Sequence, residues 1–483
     1  MSNFVKDVSI LASGTIFAQI LAILAAPIIT RLYGPDIYGT MSLFVSITSI
    51  VSMISCLCYE YSIVLAENDK EAANMLMVSL SLVFLISLLT TPVIYVLRNV
   101  IPTWLNDQSL GPLLWIIPPA VLIGGVLIAL SYWCTRKNEF RQLSAARVGN
   151  SLGTTSIQLG SGFAGHATAE SLVVANVFGS LTAILFLCRK SWLSDRDTLR
   201  NDVRLRCMME GLKRYRKFPI FHTWSILLNT VSWQLPIILL SAFFSPSVAG
   251  YYALGNAVVR APMNLFSSSI AQVFYRKAIE ANRQGNLSII VEELFRRLVI
   301  WGLFPMLLLT IVGRDVFLII FGDNWAEAGV YAQILAVWTF FWFVSGPLSS
   351  LFEALEKQEM GLIWNLCNFL TRLFSLLLGG WLHDSRTALL LFACSGIAVY
   401  GYLAAKMLSL SGVSIKKAGL IIQSHMMLFL PAGALLISLK HWNDNPLINL
   451  LVAALLLAAY FAFSAIHDKE IRAFIIGIAR RTQ

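Results

Sequence analysis

The sequence predicts an all-α polytopic membrane protein, and its composition, its charge distribution and an internal repeat all support this fold class. Of its 483 residues, 57% are apolar and 13% are charged, whereas soluble domains carry about 25% charged residues. A chain this apolar has too little polar surface to cover several soluble cores. Composition therefore favours a transporter-sized bundle of membrane helices over a soluble enzyme of two or three domains.

Apolar runs long enough to cross a membrane recur along the whole chain, each bounded by charged or turn residues. A membrane helix needs about 20 such residues, and about 14 runs meet this requirement. They are residues 10–29, 37–64, 72–96, 113–134, 145–165, 172–187, 218–244, 248–275, 294–312, 330–351, 362–382, 387–407, 420–439 and 447–466. The first run is interpreted as a span and not as a cleaved signal peptide. An even number of spans places both termini on the same side of the membrane.

The distribution of Lys and Arg fixes the predicted orientation. With the amino terminus inside, 29 of the 36 basic residues fall in inside loops or their flanks and five fall in outside loops. Basic residues concentrate on the cytoplasmic side of membrane proteins. The net charge of +10 therefore reports topology and does not indicate binding to nucleic acid. Both termini are predicted to be cytoplasmic.

The two halves of the chain resemble each other, which predicts two lobes. Residues 35–39 and 246–250 share a P-x-x-x-G pattern, each preceded by Pro-Ile-Ile. Both patterns fall outside, so the repeat is parallel and implies two six-helix lobes around a central cavity. The predicted domains are an N-terminal lobe (1–188), a basic cytoplasmic linker (189–217), a C-terminal lobe (218–408), and two extra helices with a tail (409–483). Within this tail, residues 471–479 are predicted to form a helix on the inner membrane surface.

Motifs for catalysis, nucleotide binding and metal binding lack support. The G-x-G-x-x-G match at residues 160–165 ends an apolar run and follows no strand, so it is a chance match. The seven cysteines are scattered without a C-x-x-C pair, which argues against a zinc site or a disulfide scaffold. The sequence also contains no Walker A motif, no H-E-x-x-H and no G-x-S-x-G. We therefore expect a transporter without a cofactor and not an enzyme.

Polar residues inside the predicted spans are the candidate binding residues, because a charge at the centre of a membrane helix costs about 2.5–3.5 kcal/mol. They form stripes on spans five, seven, eight and eleven, which together can line one hydrophilic cavity. The candidates are Arg147, Asn229, Asn256, Arg260, Asn264, Asn365, Asn368 and Arg372. A polar stripe can also simply pack against a neighbouring helix, and Arg147 can extend to the inner interface instead.

Arg260 and Arg372 give the sharpest prediction among these candidates. Each lies in the middle of a span whose own helix provides no acid. Arginine binds phosphate through two parallel hydrogen bonds and keeps its proton. Two arginines in a wet cavity therefore suit a diphosphate better than a neutral or cationic compound.

Glu60 is the acid placed deepest in an amino-terminal apolar run. It fits a site for coupling to H+ or Na+, a partner for an arginine, or a carboxylate at the inner interface. The tryptophans of spans seven and ten, Trp224, Trp233, Trp338 and Trp342, fit either sugar stacking or helix packing.

The sequence resembles the bacterial polysaccharide flippases of the multidrug/oligosaccharidyl-lipid/polysaccharide exporter superfamily. The resemblance runs from the first span through the twelfth. It rests on residues 26–39 (APIITRLYGPDIYG), 59–66 (YEYSIVLA), 229–236 (NTVSWQLP) and 249–254 (AGYYAL), followed by Pro262. Positive residues line the lumen in that family, and this feature transfers to Arg260 and Arg372, and further to Arg31 and Arg147.

The resemblance implies translocation of undecaprenyl-diphosphate-linked oligosaccharide units by alternating access. The units would move from the inner to the outer leaflet of the bacterial plasma membrane, for synthesis of O-antigen, capsule or exopolysaccharide. Implied partners are membrane lipids, a polysaccharide polymerase and glycosyltransferases. Two alternatives from the same superfamily stay open: a lipid II flippase, which also has fourteen spans, and a multidrug/cation antiporter, which should carry a buried acid and few cavity arginines.

Overall fold

A computed structural model describes residues 2–194, 202–355, 357–443 and 445–467, and these residues are almost entirely helical. The first eleven helices are α1 (Ser2–Leu32), α2 (Pro35–Ile54), α3 (Glu60–Leu65), α4 (Asp69–Leu97), α5 (Val100–Trp104), α6 (Leu110–Leu113), α7 (Ile117–Arg136), α8 (Phe140–Phe163), α9 (Ala169–Ser194), α10 (Leu205–Arg214) and α11 (Thr223–Phe243). The remaining helices are α12 (Pro246–Gln284), α13 (Leu287–Phe321), α14 (Ala326–Leu348), α15 (Leu351–Ala354), α16 (Gln358–Trp381), α17 (Ser385–Leu410), α18 (Ile415–Trp442) and α19 (Pro446–His467).

The all-helical membrane fold predicted from composition is confirmed. Among the described residues, 12 helical segments are long and apolar enough to cross a membrane. The predicted fifth and eighth spans correspond to α8, with 24 residues, and α12, with 39 residues. Both helices are long enough to cross, but their polar residues make them less hydrophobic than the others. Fourteen spans is therefore an approximate count, and the interfacial helix predicted at residues 471–479 lies outside the described part of the chain.

The chain packs as two compact units, unit 1 (residues 1–250) and unit 2 (residues 251–483). The predicted boundary between the lobes lies earlier, in the linker at residues 189–217. Unit 1 extends further because α11 packs against α2. The lobes 1–188 and 218–408 were predicted from the sequence repeat and stay a prediction. Units 1 and 2 are defined by contacts between residues and have a different boundary.

In unit 1, α8 packs between α1 and α9; α9 also contacts α2 and α7, and α4 packs on α7. Small residues allow close helix approach, as is usual in membrane bundles. A Cβ added to Gly179 of α9 would lie 2.8 Å from the backbone oxygen of Asn150 in α8. The α8–α9 packing therefore depends on glycine at this contact.

The carboxyl end of the predicted linker is docked onto unit 1. Asn74 of α4 uses both ends of its side-chain amide: Nδ2 donates to the carbonyl of Asp202 (3.0 Å) and Oδ1 accepts from the amide of Arg204 (2.9 Å). Arg214 forms ion pairs with Glu67 and Glu71 (2.5 and 2.9 Å). The carboxyl end of the linker is thus structured and held against the amino-terminal end of α4.

In unit 2, the two extra helices α18 and α19 pack on α13. Asp315 of α13 pairs with Lys440 of α18 (3.1 Å) and accepts a hydrogen bond from Asn449 of α19 (3.3 Å). Further along α13, the Phe304 ring stacks on Tyr460 with centroids 4.1 Å apart. These contacts make α18 and α19 integral parts of unit 2.

Candidate functional site

The candidate site in unit 2 is a cluster of two arginines among aromatic side chains from α12, α14, α16 and α17. Arg260 of α12 is half-buried and lies over the Trp342 ring, 4.4 Å from its centroid. Arg260 also interacts electrostatically with Arg372, Tyr252 and Tyr400. The structure therefore brings together two arginines that are more than 100 residues apart in sequence.

Arg372 occupies the buried side of this cluster. Its side chain is 1% exposed and its Nη2 donates to the Tyr400 hydroxyl at 2.9 Å. The guanidinium carbon lies 5.7 to 5.9 Å from the ring centroids of Trp338, Phe392 and Tyr400. Cation–π contacts of this kind stabilise a desolvated guanidinium, so α16 can keep a charge inside unit 2.

Amides accompany the arginines. Asn368 lies one turn before Arg372 on α16, and its Nδ2 approaches the Tyr400 hydroxyl at 3.5 Å. The buried side-chain oxygens of Asn368 and Asn256 have no hydrogen-bond partner among the described residues. A buried amide oxygen that lacks a partner costs about 1–3 kcal/mol. Such oxygens are suited to accept hydrogen bonds from a polyhydroxylated ligand.

The apolar runs that supply this cluster contain no Asp or Glu. This holds for residues 248–275, 330–351, 362–382 and 387–407. Two guanidinium groups repel each other, and the repulsion is stronger in a medium of low dielectric constant than in water. A bound anion would remove this repulsion, so the cluster is suited to bind a phosphate-bearing group and poorly suited to bind a cation.

Other predicted candidates do not join this cluster. Asn365 is exposed on α16, and Asn229 is exposed on α11 in unit 1. Arg147 lies in unit 1, where it donates a short hydrogen bond to Thr15 of α1, so it contributes to helix packing there. Asn264 belongs to α12, but its side chain lies outside the described residues.

Three aromatic residues of the cluster, Tyr252, Phe392 and Tyr400, are not marked as site residues by the sequence. A single tyrosine in an apolar run resembles many packing residues, and no spacing pattern marks Tyr400. From the sequence, Trp338 and Trp342 fit either stacking on sugar or helix packing. In the structure Trp338 is fully buried and Trp342 is half-buried beneath Arg260.

Glu60 forms a second candidate site, in unit 1. It begins α3, between the spans 35–54 and 69–97, so the predicted second span ends earlier than residue 64. The intervening turn contains Leu57 and Cys58 with φ of 48° and 61°, values uncommon for residues other than glycine. Glu60 is 1% exposed, its Oε2 has no hydrogen-bond partner in the described structure, and burial raises its pKa to about 7.

Aromatic rings surround this part of unit 1. The Tyr61 ring lies 5.0 Å from Tyr132 and 4.8 Å from His222, centroid to centroid. His222 ends a π-helical turn, Phe218–His222, that leads into α11. Glu60 is thus held at a break in the helices beside a packed aromatic group.

The two P-x-x-x-G patterns meet at one end of unit 1. Pro35 and Pro246 are the first residues of α2 and α12, as expected for proline at a helix start. A Cβ on Gly39 would lie 1.8 Å from the carbonyl oxygen of Pro246, and one on Gly250 would lie 2.2 Å from that of Pro35. Ser247 also donates a short hydrogen bond to Asp36. The two helix starts therefore touch backbone to backbone.

The fold is shared with known transporters. A lipid II flippase, MurJ, in an inward closed conformation matches with a TM-score of 0.72 and 13% identity, over 95% of this chain and 99% of that one. An inward-facing MATE family multidrug resistance transporter of the MOP superfamily matches with a TM-score of 0.60 and 15% identity, over 82% and 95%. A MOP superfamily transporter from Pyrococcus furiosus matches with a TM-score of 0.55 and 13% identity, over 84% and 96%.

Comparison by sequence gives the family. No curated protein matches the chain significantly. The family model described as "Polysaccharide biosynthesis protein" matches residues 28–330, which is more than half of the chain and includes α2 to α13 and Arg260. The chain is therefore a multi-pass membrane protein of transporter fold that belongs to the polysaccharide biosynthesis protein family.

Proposed function

We propose that the protein is a flippase that moves undecaprenyl-diphosphate-linked oligosaccharide units from the inner to the outer leaflet of the bacterial plasma membrane. The observation that carries this proposal is the arginine cluster of unit 2, in which Arg260 and Arg372 lie together among Tyr252, Tyr400 and Trp342. Family membership supports a saccharide substrate, and the cluster supports an anionic group on it.

In the proposed mechanism, Arg260 contacts the diphosphate. It is the half-buried arginine of the pair, and its guanidinium is oriented by the face of Trp342. Arg372 lies behind it, fixed by Tyr400, and adds positive potential without contact with solvent. The amide oxygens of Asn256 and Asn368 accept hydrogen bonds from sugar hydroxyls. The prenyl chain stays in lipid while alternating access exposes the head group on the other side.

Two alternative functions, cation antiport and lipid II translocation, make different demands on the residues of this site. A cation antiporter requires an anionic binding site, and the runs that build the cluster contain no acid. A lipid II flippase shares the fold and also moves a diphosphate-linked saccharide, so the arginine cluster does not distinguish it. Family membership favours the surface polysaccharide substrate.

The proposal is tested by reconstitution of the full chain in liposomes. A fluorescent undecaprenyl-diphosphate oligosaccharide is placed in the membrane, and its loss to an impermeant quencher or enzyme measures translocation. We expect translocation above that of empty liposomes. If lipid II is moved and the oligosaccharide is not, the protein is a lipid II flippase. If only a cationic dye is moved, the protein is a cation antiporter.

We propose further that Glu60 couples transport to protons. A carboxyl group with a pKa of about 7, raised by burial, changes its charge within the physiological range. It is neutral below pH 7 and charged above it. We expect wild-type translocation to change between pH 6 and pH 8 and Glu60→Gln to lose this dependence. Glu353→Gln, at an exposed acid, should keep the wild-type profile.

The same group gives an independent readout through stability. Because the folded state binds the Glu60 proton more tightly than the unfolded chain, this group makes stability fall as pH rises from about 4.5 to about 7. Glu60→Gln should therefore become more stable than wild type above pH 7. An unchanged pH profile of both transport and thermal stability in Glu60→Gln would refute the coupling role.

A further inference from the structure

A groove of about 770 Å³ runs along the surface of unit 1 between α8 and α9. It is lined by Ala145 and Leu152 of α8 and by Phe178 and Phe186 of α9, and the Phe186 ring covers Gly149 of α8. Leu152, Phe178 and Phe186 are each about 45% exposed. The groove is thus open, apolar and separate from the arginine cluster of unit 2.

The groove lies on a different face of α8 from its polar stripe. Arg147 contacts Thr15 of α1 and Ser151 bonds to the Ala18 carbonyl, so that face packs against α1. The groove face carries residues 141, 145, 148, 152 and 156, which recur at helical spacing. Lipid-exposed apolar surface on a membrane helix is ordinary, but this shallow groove also has a cation at one end.

Arg141 lines one end of the groove, one residue after α8 begins. Its side chain is exposed and makes no hydrogen bond or ion pair among the described residues. The positive-inside count places this end at the cytoplasmic surface. Ser144 lines the same end, but its hydroxyl packs against Gly14 of α1, so Arg141 alone supplies the polar group here. A cation at the headgroup level is complementary to a phosphate group.

The length of the groove matches one lipid of one leaflet. From Arg141 to Ile157, α8 rises about 24 Å at 1.5 Å per residue. Half of a bilayer, headgroup included, measures about 20–22 Å. A polyprenyl chain is much longer than this distance. The match in length therefore favours an ordinary membrane lipid.

We propose that this groove binds one anionic glycerophospholipid of the cytoplasmic leaflet. The phosphate lies at Arg141, and an acyl chain follows α8 over Ala145, between Leu152 and the rings of Phe178 and Phe186. This inference concerns lipid binding alone and does not depend on transport.

The test is native mass spectrometry of the full chain after exchange into detergent with one defined lipid. The probes are phosphatidylglycerol, phosphatidylcholine and undecaprenyl phosphate, each added alone and in pairwise competition. We expect wild type to retain one phosphatidylglycerol in preference to phosphatidylcholine. Arg141→Gln should weaken this retention about fivefold, since one basic residue near a membrane surface contributes about 1 kcal/mol. Ala145→Phe should fill the groove and abolish retention.

Two matched controls make the outcome specific. Arg206→Gln removes a charge whose side chain is 90% exposed on α10, and Ala454→Phe adds the same ring to an exposed position of α19. Both should keep wild-type retention. The proposal is overturned if Arg141→Gln and Ala145→Phe retain phosphatidylglycerol like wild type, or if undecaprenyl phosphate displaces it at equal concentration.

Discussion

Arg260→Gln is expected to lower translocation of the diphosphate-linked oligosaccharide by about 10- to 100-fold. A hydrogen bond to a charged group contributes about 1.5–3 kcal/mol, and each 1.4 kcal/mol corresponds to a factor of about ten. Glutamine keeps the polarity and most of the length of the side chain but removes the positive charge. The loss should appear mainly as weaker apparent affinity for substrate, measured by the concentration dependence of flipping in liposomes.

Matched variants separate the charge from other effects. Arg260→Lys keeps the charge and loses the planar fork, so it should retain part of the activity. Arg314→Gln is the same substitution at an exposed position of α13, and we expect it to flip at the wild-type rate. Wild-type transport by Arg260→Gln, with normal amounts in the membrane, would contradict the assignment of this residue to the diphosphate.

Arg372→Gln is expected to behave differently, because Arg372 is fully buried among aromatic rings. Its loss removes a cation from a fitted site and leaves the Tyr400 hydroxyl without its donor. We expect both lower transport and a lower melting temperature in detergent, whereas Arg260→Gln should melt close to wild type. Equal melting temperatures of the two variants would show that Arg372 does not stabilise the fold more than Arg260 does.

Gly39→Ala is expected to reduce transport by more than tenfold through a steric effect in unit 1. The added methyl group would lie 1.8 Å from the Pro246 carbonyl oxygen, far inside van der Waals contact. The obstructing atom belongs to the backbone, so no side-chain rotation can relieve the clash. The starts of α2 and α12 must therefore move apart, which breaks the contact made by the repeated P-x-x-x-G pattern.

Gly250→Ala meets the carbonyl of Pro35 at 2.2 Å and should have a similar effect. Gly160→Ala in α8 and Gly346→Ala in α14 have nothing within 4 Å of the added atom, so these controls should transport normally. The movement itself can be measured in a variant without native cysteines. A cysteine introduced at Ser247 should react faster with an impermeant maleimide when Gly39 is Ala; equal reactivity would mean that the contact is unaffected.

The membrane fold could be predicted from the sequence because its determinants are local. Mean composition, run length and the predicted concentration of 29 basic residues on one side all follow from the properties of single helices in lipid. The repeated P-x-x-x-G pattern predicted an internal repeat, and its two prolines, Pro35 and Pro246, are the first residues of α2 and α12. Each of these features depends on local sequence, so it can be recognised without knowledge of tertiary contacts.

The position of Arg260 and Arg372 within predicted spans singled them out, because a charge inside a span is costly wherever it points. It could not assign their environments. Whether a side chain faces a cavity, lipid or a neighbouring helix depends on helices that are distant in sequence. Thus Arg372 is enclosed by Trp338, Phe392 and Tyr400, whereas Arg147, on an equally polar stripe, contacts α1.

The sequence by itself thus determined the class of protein, its helices and the two arginines, since these depend on hydropathy and charge along single helices. Only the tertiary structure decided that Arg260 and Arg372 share one aromatic cluster, that Gly39 and Gly250 bring two helix starts into backbone contact, and that α8 and α9 leave an apolar groove. The reason is physical: such features arise from the close packing of side chains on separate helices, and one helix does not encode which neighbour it meets.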